Sequence, residues 1–562
     1  MSDIMKPLPF AALMEHIFAE YKQNGTIFNV KNIHSFENAP KLDIFDRQLE
    51  SPLGVAAGPH TQLAQNIVAC YAGGSRFMEL KTIQIMYGEE LGIARPCIRA
   101  EDEGYNVEWS SEYSPAGARD EYIKAWIACK VVAKELGLGD PDGFEFNMSA
   151  GYDLKGIQSE PVDSFINDMR DASKLPVFTE AIAYLHEHVD EYEHVDHEFI
   201  DSISPCVCTC MTVSTMHGTP ADQIEDIINH LLVNKKINSY LKCNPTLLGY
   251  ERVRGLLDSM NFDYIDFGRE QFEHDLKFEE AVPMLKRLMD CAQEQGVQFG
   301  VKLTNTFQCK PNRKELPGSD MYMSGKALYP MAITVAYELA RAFEGKLPMS
   351  YCGGADKGNI AQIYDAGLWP ISVCTVLLKG QGYNNLDALA KQLETVEPKK
   401  NLLVDVDKLK VLVDELGEDS KYAKAQKQHE KALAVDGFEW PKDNDHFCNR
   451  LCKSCVNVCP NRANEAIDYQ DTKIIVHIDD YCNECGNCQF GCIEPCRPYK
   501  DRWTLFSDVS MFENSTNDGV YIEGETVYYR DMGQTKSCAK PELPEHLADL
   551  VSAIEAQLSY HL

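Results

Sequence analysis

Short apolar runs alternate with longer amphipathic stretches through the first two-thirds of the chain. Helical periodicity, with apolar residues three and four positions apart, is clear over residues 221–232 and 330–343. The β-rich apolar runs predict strands over residues 54–58, 77–82, 144–149, 207–214, 239–244, 264–267, 299–306, 348–354 and 371–376. This alternation predicts an α/β fold with a parallel sheet, and this many units predict a TIM, or (β/α)8, barrel. There is one candidate strand too many, and either residues 264–267 or residues 299–306 are the extra element.

Beyond the barrel, the pattern predicts three smaller units. Residues 408–437 read as helical and charged on one face, GVYIEG and TVYYRD predict a hairpin, and ELPEHLADLVSAIEAQL predicts an amphipathic helix. We therefore divide the chain into a barrel with an N-terminal extension over 1–400, a helical linker over 401–440, a cysteine-rich unit over 441–505, and a hairpin and helix over 506–562.

Charge and composition narrow the functional classes. The 562 residues carry a formal net charge of −32, so the surface repels phosphate backbones and anionic lipids, and neither nucleic acid nor a membrane is expected as a partner. The N-terminus lacks the basic and apolar segments of a signal peptide, and no apolar run approaches the ~18 residues of a membrane span. We expect a cytoplasmic protein.

Cysteine is abundant and unevenly distributed. Of 21 cysteines, those between Cys448 and Cys496 follow the patterns C-x3-C-x2-C-x3-C-P and C-x2-C-x2-C-x3-C-x3-C. Without a secretion signal, so many thiols indicate a reducing compartment and metal binding rather than disulfides. Zinc ribbons pair two C-x2-C knuckles and do not add further cysteines at this spacing, so the pattern favours iron–sulfur clusters over zinc.

The two cysteine runs predict two 4Fe–4S clusters, in a module that resembles the two-cluster bacterial ferredoxin fold. Three close thiolates wrap each cluster, and the fourth ligand comes from the other run. The second run offers two candidates for that ligand, because the proline expected after Cys492 is missing and Pro498 comes shortly after Cys496 instead. One predicted set is Cys448, Cys452, Cys455 and either Cys492 or Cys496, and the other is Cys459, Cys482, Cys485 and Cys488.

Glycines at the ends of two predicted strands suit a phosphate site. Gly353 and Gly354 follow the seventh strand, and Thr375 and Gly380 follow the eighth, where barrels present backbone N–H groups to phosphate. A pair of glycines at a strand end is as often only a tight turn, so this signal is weak by itself.

Residues 52–382 resemble the FMN barrel of dihydroorotate and dihydropyrimidine dehydrogenases. The matching pieces are SPLGVAAGP, GGSRFMELKT, KCNPT, LTNT, MSG, CGG and VCT, in the order of that family. With the ferredoxin-like module, the layout resembles dihydropyrimidine dehydrogenase without its FAD and nicotinamide domains. STMHG and the overall arrangement are most similar to the N-terminal part of the YgfK-like family, which is named for a selenate reductase subunit.

The resemblance implies an FMN site. The implied residues approach the flavin face, the flavin edge or ribityl chain, the anionic N1 region, the substrate and the phosphate. They are Ala56, Ala57 and Gly58 at the flavin face; Lys81 and Thr82 at the flavin edge or ribityl chain; Asn147 at the flavin or substrate; Lys242 or Lys302 near N1; Asn305, Ser324 and Gly325 at the ribityl chain or substrate; and Gly353, Gly354 and Thr375 at the phosphate.

The expected proton donor is the largest departure from the family. Dihydropyrimidine dehydrogenases carry an acidic cysteine in the lid after strand four, where this chain has Thr215. A hydroxyl is a far weaker acid than a thiol, so His217, or Ser214 or Thr215 through a water, is the candidate donor. Three cysteines alternate along the preceding strand and fit buried structural thiols; if they face the barrel mouth, Cys210 is also a candidate.

No G-x-G-x-x-G opens a βαβ unit, so a dinucleotide-binding partner must supply the distal redox site. The favoured hypothesis is an oxidoreductase acting on a C=C or C=N bond of a planar, purine- or pyrimidine-derived heterocycle, with a separate FAD/NAD(P)H-dependent subunit or a ferredoxin-type protein as electron donor. Two alternatives remain: an electron-transfer subunit for a molybdenum enzyme, and a scaffold without flavin chemistry. Whether the chain forms a homodimer stays open.

Overall fold

A computed structural model describes residues 4–37, 39–107, 110–215, 219–424, 446, 448, 450–494 and 496–562. Its α-helices span Phe10–Asn24, Ala64–Ala72, Pro115–Leu136, Leu154–Ile157, Glu160–Arg170, Pro176–Glu187, His197–Ser202, Ala221–Asn229, Tyr250–Asp258, Glu270–His274, Phe278–Gln295, Tyr329–Ala342, Ile360–Asp365, Asn385–Leu393, Val406–Asp414, Ser454–Val458, Asn487–Gly491, Pro498–Asp501, Val509–Asn514 and Glu545–Gln557. None of the described helices has the length and apolar character that crossing a membrane requires.

Eight parallel strands close into a barrel, so the predicted TIM fold is confirmed. Each strand pairs with the next one along the chain, and β8 closes the ring on β1. The strands are β1 Leu53–Val55, β2 Phe77–Glu79, β3 Glu145–Gly151, β4 Cys208–Ser214, β5 Asn238–Cys243, β6 Phe299–Leu303, β7 Met349–Tyr351 and β8 Ile371–Val373. Of the two doubtful segments, 299–306 supplies β6, whereas 264–267 contributes only an isolated bridge between Asp266 and Lys310.

A small antiparallel sheet lies over the carboxyl end of the barrel, and we call it the mouth sheet. Its strands come from the segments that follow β2 and β6. In spatial order they are Phe307–Cys309, Met321–Gly325, Glu103–Asn106 and Ile98–Ala100. Because it joins two distant parts of the chain, the mouth sheet shapes the site below it.

The cysteine-rich segment and the tail share one six-stranded sheet. Its strands, in spatial and chain order, are β9 Asn464–Tyr469, β10 Thr472–Ile478, β11 Trp503–Phe506, β12 Gly519–Glu523, β13 Thr526–Asp531 and β14 Gln534–Ala539. The hairpin predicted in the tail is β12–β13. Because β11 pairs with both β10 and β12, the sheet runs across the boundary placed at residues 505 and 506.

The linker helix is shorter than its pattern suggested. It covers Val406–Asp414, and residues 415–424 form turns that include Gly417. Leu409 and Leu412 of the helix are buried in the core of the barrel domain, so this part of the linker is attached to the barrel. Residues 425–437 of the predicted helix lie outside the described residues.

The amino end of the barrel is closed by a buried ion pair. Nε of Arg47, on a short hairpin before β1, lies 2.9 Å from Oε2 of Glu145 at the start of β3. The other carboxylate oxygen accepts hydrogen bonds from the backbone N–H and hydroxyl of Thr209 at 2.8 and 2.9 Å. Burial raises the pKa of Glu145 to about 7, and Arg47 opposes this shift.

Replacing Arg47 by methionine should destabilise the fold by about 3–5 kcal/mol at pH 8, because it leaves a buried carboxylate without its partner. The loss should shrink below pH ~7, since Glu145 is then protonated in the folded state of both proteins and has no negative charge for Arg47 to neutralise. Urea unfolding at pH 8 and pH 6 measures both values. Lys41→Met, which breaks an exposed pair with Asp140, should change stability by about 1 kcal/mol or less at either pH. An equal Arg47→Met loss at the two pH values would contradict this account.

Candidate active site

A cavity of about 630 Å³ opens at the carboxyl ends of the barrel strands, with Tyr105 and Gln308 of the mouth sheet in its wall. Parallel strands direct their carboxyl ends to one rim, so loops that are far apart in sequence meet there. The predicted site residues that line the cavity are Ala56, Ala57, Gly58, Thr82, Ser214, Thr215, Lys242, Asn305, Ser324, Gly325, Gly353, Gly354 and Thr375.

Two adjacent glycines after β7 form a backbone cradle in the cavity wall. Gly354 has a φ of +67°, and a Cβ atom there would lie 2.5 Å from the carbonyl oxygen of Gly325. The hydroxyls of Ser324 and Thr375, also in the wall, are 2.7 Å apart. Among the described residues, the N–H groups of Gly353 and Gly354 meet no acceptor, so they are available to an anionic ligand.

The two lysines considered for the anionic flavin region have different surroundings. Lys302 is fully buried; its Nζ pairs with Glu79 and donates to Ser372 Oγ at 3.0 Å. Lys242 lies in the cavity wall, and within the described residues its Nζ forms no ion pair or hydrogen bond. Burial lowers the pKa of Lys242; the negative charge of Glu79 opposes this, and the positive charge of Lys302 adds to it. Lys242 is therefore the lysine that presents a charge to a ligand.

Lys81 and Asn147 are buried residues that do not line the cavity. The carbonyl of Lys81 accepts a hydrogen bond from the Tyr122 hydroxyl at 2.8 Å. The side chain of Asn147 donates to Thr212 Oγ1 at 2.7 Å, and its Oδ1 meets no partner among the described residues. Neither residue forms the wall of the cavity, where the resemblance implied a flavin contact for both.

Cys210 lies at the amino end of the barrel, away from the mouth. Its Sγ is 3.8 Å from Oε1 of Glu145, the carboxylate of the buried ion pair. The thiol is fully buried, and burial raises its pKa well above the usual value. Because the carboxyl end of β4, not its start, reaches the cavity, Cys210 cannot act on a ligand there.

The remaining proton-donor candidates follow β4. Ser214 Oγ accepts a hydrogen bond from Asn305 Nδ2 at 3.1 Å, and Thr215 also lines the cavity. His217 lies outside the described residues. The thiols that do line the cavity are those of Cys352 and Cys374, and burial raises the pKa of Cys352.

Several lining residues were not identified from the sequence. Thr304, Cys352 and Cys374 each directly follow a barrel strand, so strand-end position alone was a usable signal for them. Gln84 and Ser110, which share a 3.0 Å hydrogen bond, come from the long segment between β2 and β3. Only the folding of that segment over the mouth brings them to the cavity.

The cysteine-rich segment forms two groups of sulfur atoms. One small cavity is lined by four cysteines that form the second ligand set predicted from the sequence: Cys459, Cys482, Cys485 and Cys488. In the other group, burial raises the pKa of Cys455 to about 12, and the nearby thiols of Cys492, Cys448 and Cys452 contribute to the rise.

Cys496 lies beside this second group. A hydrogen bond to Cys492 and burial both raise the pKa of Cys496. Its Sγ accepts a hydrogen bond of 3.2 Å from Nη2 of Arg502. The thiol of Cys492 acts on Cys455, and Cys496 contacts Cys492, so both candidates for the fourth ligand lie at this group.

The group around Cys485 is attached directly to the barrel mouth. The carbonyl of Cys485 accepts hydrogen bonds of 2.9 Å from the N–H groups of both Cys97 and Ile98. Asn487 Nδ2 donates to the carbonyl of Leu378 at 2.8 Å. Ile98 and Leu378 themselves line the cavity, so a single layer of side chains separates it from this group of cysteines.

Lys302→Met should destabilise the protein by about 3–5 kcal/mol, because Glu79 is then buried without its cation. The same substitution at Lys242 should cost less than about 1 kcal/mol or be stabilising, since it removes a charge that burial already disfavours. Chemical unfolding at pH 7, with small molecules removed beforehand, compares the two variants. Similar losses in both would show that Lys242 has a partner of its own.

Comparison with known proteins agrees with this architecture. Residues 28–424 match the family described as oxidoreductase YgfK, N-terminal TIM-barrel domain. Over 423 residues the chain is 44% identical to the proteins named "Putative oxidoreductase YgfK" from Escherichia coli strain K12 and from Escherichia coli O157:H7. The alignment covers 73% of this chain and 41% of those relatives, so the chain spans about two-fifths of their length. The chain belongs to the YgfK oxidoreductase family.

Proposed function

We propose that this protein is an FMN- and iron–sulfur-dependent oxidoreductase acting on a C=C or C=N bond of a planar nitrogen heterocycle. Electrons would pass between a separate FAD/NAD(P)H-dependent or ferredoxin-type partner and the barrel through two 4Fe–4S clusters. The observation that carries the proposal is the contact of the Cys485 carbonyl with Cys97 and Ile98, because it places one cysteine group against the cavity wall.

The cavity residues fit FMN. The unpaired N–H groups of Gly353 and Gly354 suit a phosphate, and the Ser324 and Thr375 hydroxyls next to them can donate to it. Lys242 adds a cation that has no partner within the described part of the chain, which suits an anionic ligand group. A volume of about 630 Å³ is within the range of cofactor and ligand sites.

FMN supplies hydride transfer to a substrate and one-electron exchange with a cluster. The chain's own residues then have three tasks. Asn305 holds Ser214 Oγ in the cavity at 3.1 Å, so that Ser214 can orient a polar heterocycle. Ser214 Oγ or Thr215 Oγ1 can pass a proton to the substrate through a water, and His217 stays a candidate for the same role. The mouth sheet limits the access of bulk water.

The two cysteine groups suit an electron-transfer path with an inner cluster next to the barrel and an outer cluster near the protein surface. The group around Cys485 lies against the mouth and is the inner one. In the other group Cys452 is exposed, and Ile493, next to Cys492, is 64% exposed. An electron-transfer partner needs close access to the outer cluster, so we place its docking site there.

Cys492→Ser should lower the iron content from about eight to about four per chain, because each 4Fe–4S cluster requires four ligands. Cys496→Ser should keep about eight irons, since we assign the ligand role to Cys492, whose thiol acts on Cys455, and not to Cys496. Iron and labile sulfide are measured after anaerobic purification. Equal iron loss in both variants, or loss only in Cys496→Ser, would overturn the ligand assignment.

Anaerobically purified protein should contain about one FMN per chain, and addition of the right heterocycle to dithionite-reduced protein should reoxidise it. A panel of purines and pyrimidines identifies that compound by stopped-flow spectroscopy. Ala57→Leu should lose the FMN because the larger side chain enters the cavity, whereas Ala116→Leu, at an exposed helical position, should retain it.

The possible outcomes separate the competing functions. FMN without reoxidation by any heterocycle would favour an electron-transfer subunit, and a folded protein without FMN would favour a scaffold. Thermal melting shows whether Ala57→Leu is still folded, so that flavin loss is not confused with unfolding.

A further inference from the structure

A cluster of metal-ligating side chains lies in the C-terminal sheet, outside both cysteine groups. It consists of His446, Asp518 and Asp531, and one ligand atom from each lies within 4.8 Å of the others. Asp518 immediately precedes β12, Asp531 ends β13, and His446 comes two residues before Cys448. The cluster therefore joins the entry of the cysteine-rich segment to the tail of the chain.

The imidazole of His446 is oriented as in a metal ligand. Its Nδ1 lies 3.3 Å from the backbone carbonyl of Asp501, a contact that leaves Nε2 with the free lone pair. Nε2 is 3.1 Å from Asp518 Oδ2, but in a direction that makes no hydrogen bond to any described residue. The residue is only 7% exposed, so this nitrogen is shielded from solvent as well.

The two carboxylates face each other across the hairpin. Gly519 pairs with Arg530 in the antiparallel register, so Asp518 and Asp531 are the next opposite pair. Like charges in that position repel, and a low-polarity environment strengthens the repulsion. The guanidinium of Arg530 is directed to the carbonyls of Asn517 and Phe512, at 2.8 Å each, and not to either carboxylate.

Both carboxylates also have fixed positions. Asp518 Oδ1 accepts the N–H of Gly533 at 2.9 Å, which leaves Oδ2 directed towards His446. Asp531 Oδ2 is 3.0 Å from Nε2 of His546. Hydrogen bonds of this kind are typical of groups that surround a metal and orient its ligands.

We propose that His446, Asp518 and Asp531 bind a divalent first-row cation of the zinc type. One imidazole nitrogen and two carboxylate oxygens are a suitable donor set for such an ion, with water completing the coordination. The cation would neutralise the facing carboxylates and use the unpaired Nε2. It would also fasten the residues just before Cys448 to β12 and β13, and so hold the first cysteine run against the sheet.

An ion pair between an imidazolium and the carboxylates is the competing explanation. The 3.1 Å contact is an ion pair when His446 is protonated, and it lowers the pKa of Asp518 against the effect of burial. Its direction is poor for an Nε2–H hydrogen bond, and the zinc measurement below decides between the two explanations. A cation does not have this angular requirement, because it sits between the three atoms rather than on a line joining two of them.

The test uses protein that contains its full cluster iron, about eight per chain, so that zinc cannot occupy empty cysteine sites. The protein is treated with a mild chelator, equilibrated with zinc alone, desalted and analysed for zinc and iron. Wild type should retain about one zinc per chain. Asp531→Asn and His446→Gln should retain at least about tenfold less under the same conditions. Glu525→Gln, in the exposed turn of the same hairpin, is the matched control and should retain as much zinc as wild type.

Zinc-edge X-ray absorption on the wild-type sample identifies the ligands. Nitrogen and oxygen neighbours at about 2.0–2.1 Å, without sulfur at about 2.3 Å, are expected. Sulfur neighbours, no retained zinc in wild type, or equal zinc in wild type and in both variants would each overturn the proposal. Circular dichroism and iron content show whether the two variants are folded, and retention of zinc by a folded variant is equally decisive.

Discussion

The hydrogen bonds between the Cys485 carbonyl and the N–H groups of Cys97 and Ile98 attach the cysteine-rich segment to the barrel domain. They connect the loop of the cysteine-rich segment to the first strand of the mouth sheet. That sheet is itself built on the barrel rim, through segments that follow β2 and β6. Together with the hydrogen bonds of Asn487 to the carbonyl of Leu378 and of Asn66 to Asn461, this contact fixes the cysteine group relative to the cavity, and the proposed electron path depends on that distance.

Of the two buried lysines near the mouth of the barrel, one is neutralised by a carboxylate and the other faces the cavity. Inside the barrel, Glu79 and Lys302 neutralise each other, and the hydroxyl of Ser372 donates a hydrogen bond to Glu79. Of these two lysines, their pairing leaves Lys242 to face the cavity, at a pKa that burial lowers. An unpaired charge of this kind is unfavourable unless a ligand completes it, and this is the physical reason for expecting an anionic group there.

The C-terminal sheet also contributes residues that lie next to the cysteine-rich segment. Its strands β10 and β11 flank the second cysteine run, and β12 and β13 carry the carboxylates that face His446. The two strands inside the cysteine-rich segment, β9 and β10, are thus completed into a sheet by four strands from the chain after the cysteines. The cysteine-rich segment and the tail therefore behave as one unit, although composition alone suggested two.

The pattern of apolar and polar residues was sufficient to predict the eight-stranded barrel, because strand and helix periodicities are local properties of the chain. Cysteine spacing predicted the grouping of Cys482, Cys485 and Cys488, since three close thiolates wrap one cluster, and the ferredoxin-like exchange of the fourth ligand between the two runs added Cys459. Two decisions required tertiary contacts: that Lys242 rather than Lys302 faces the cavity, and that Cys210 lies at the closed end of the barrel. Local sequence does not distinguish these cases, because the deciding partners are supplied by distant segments.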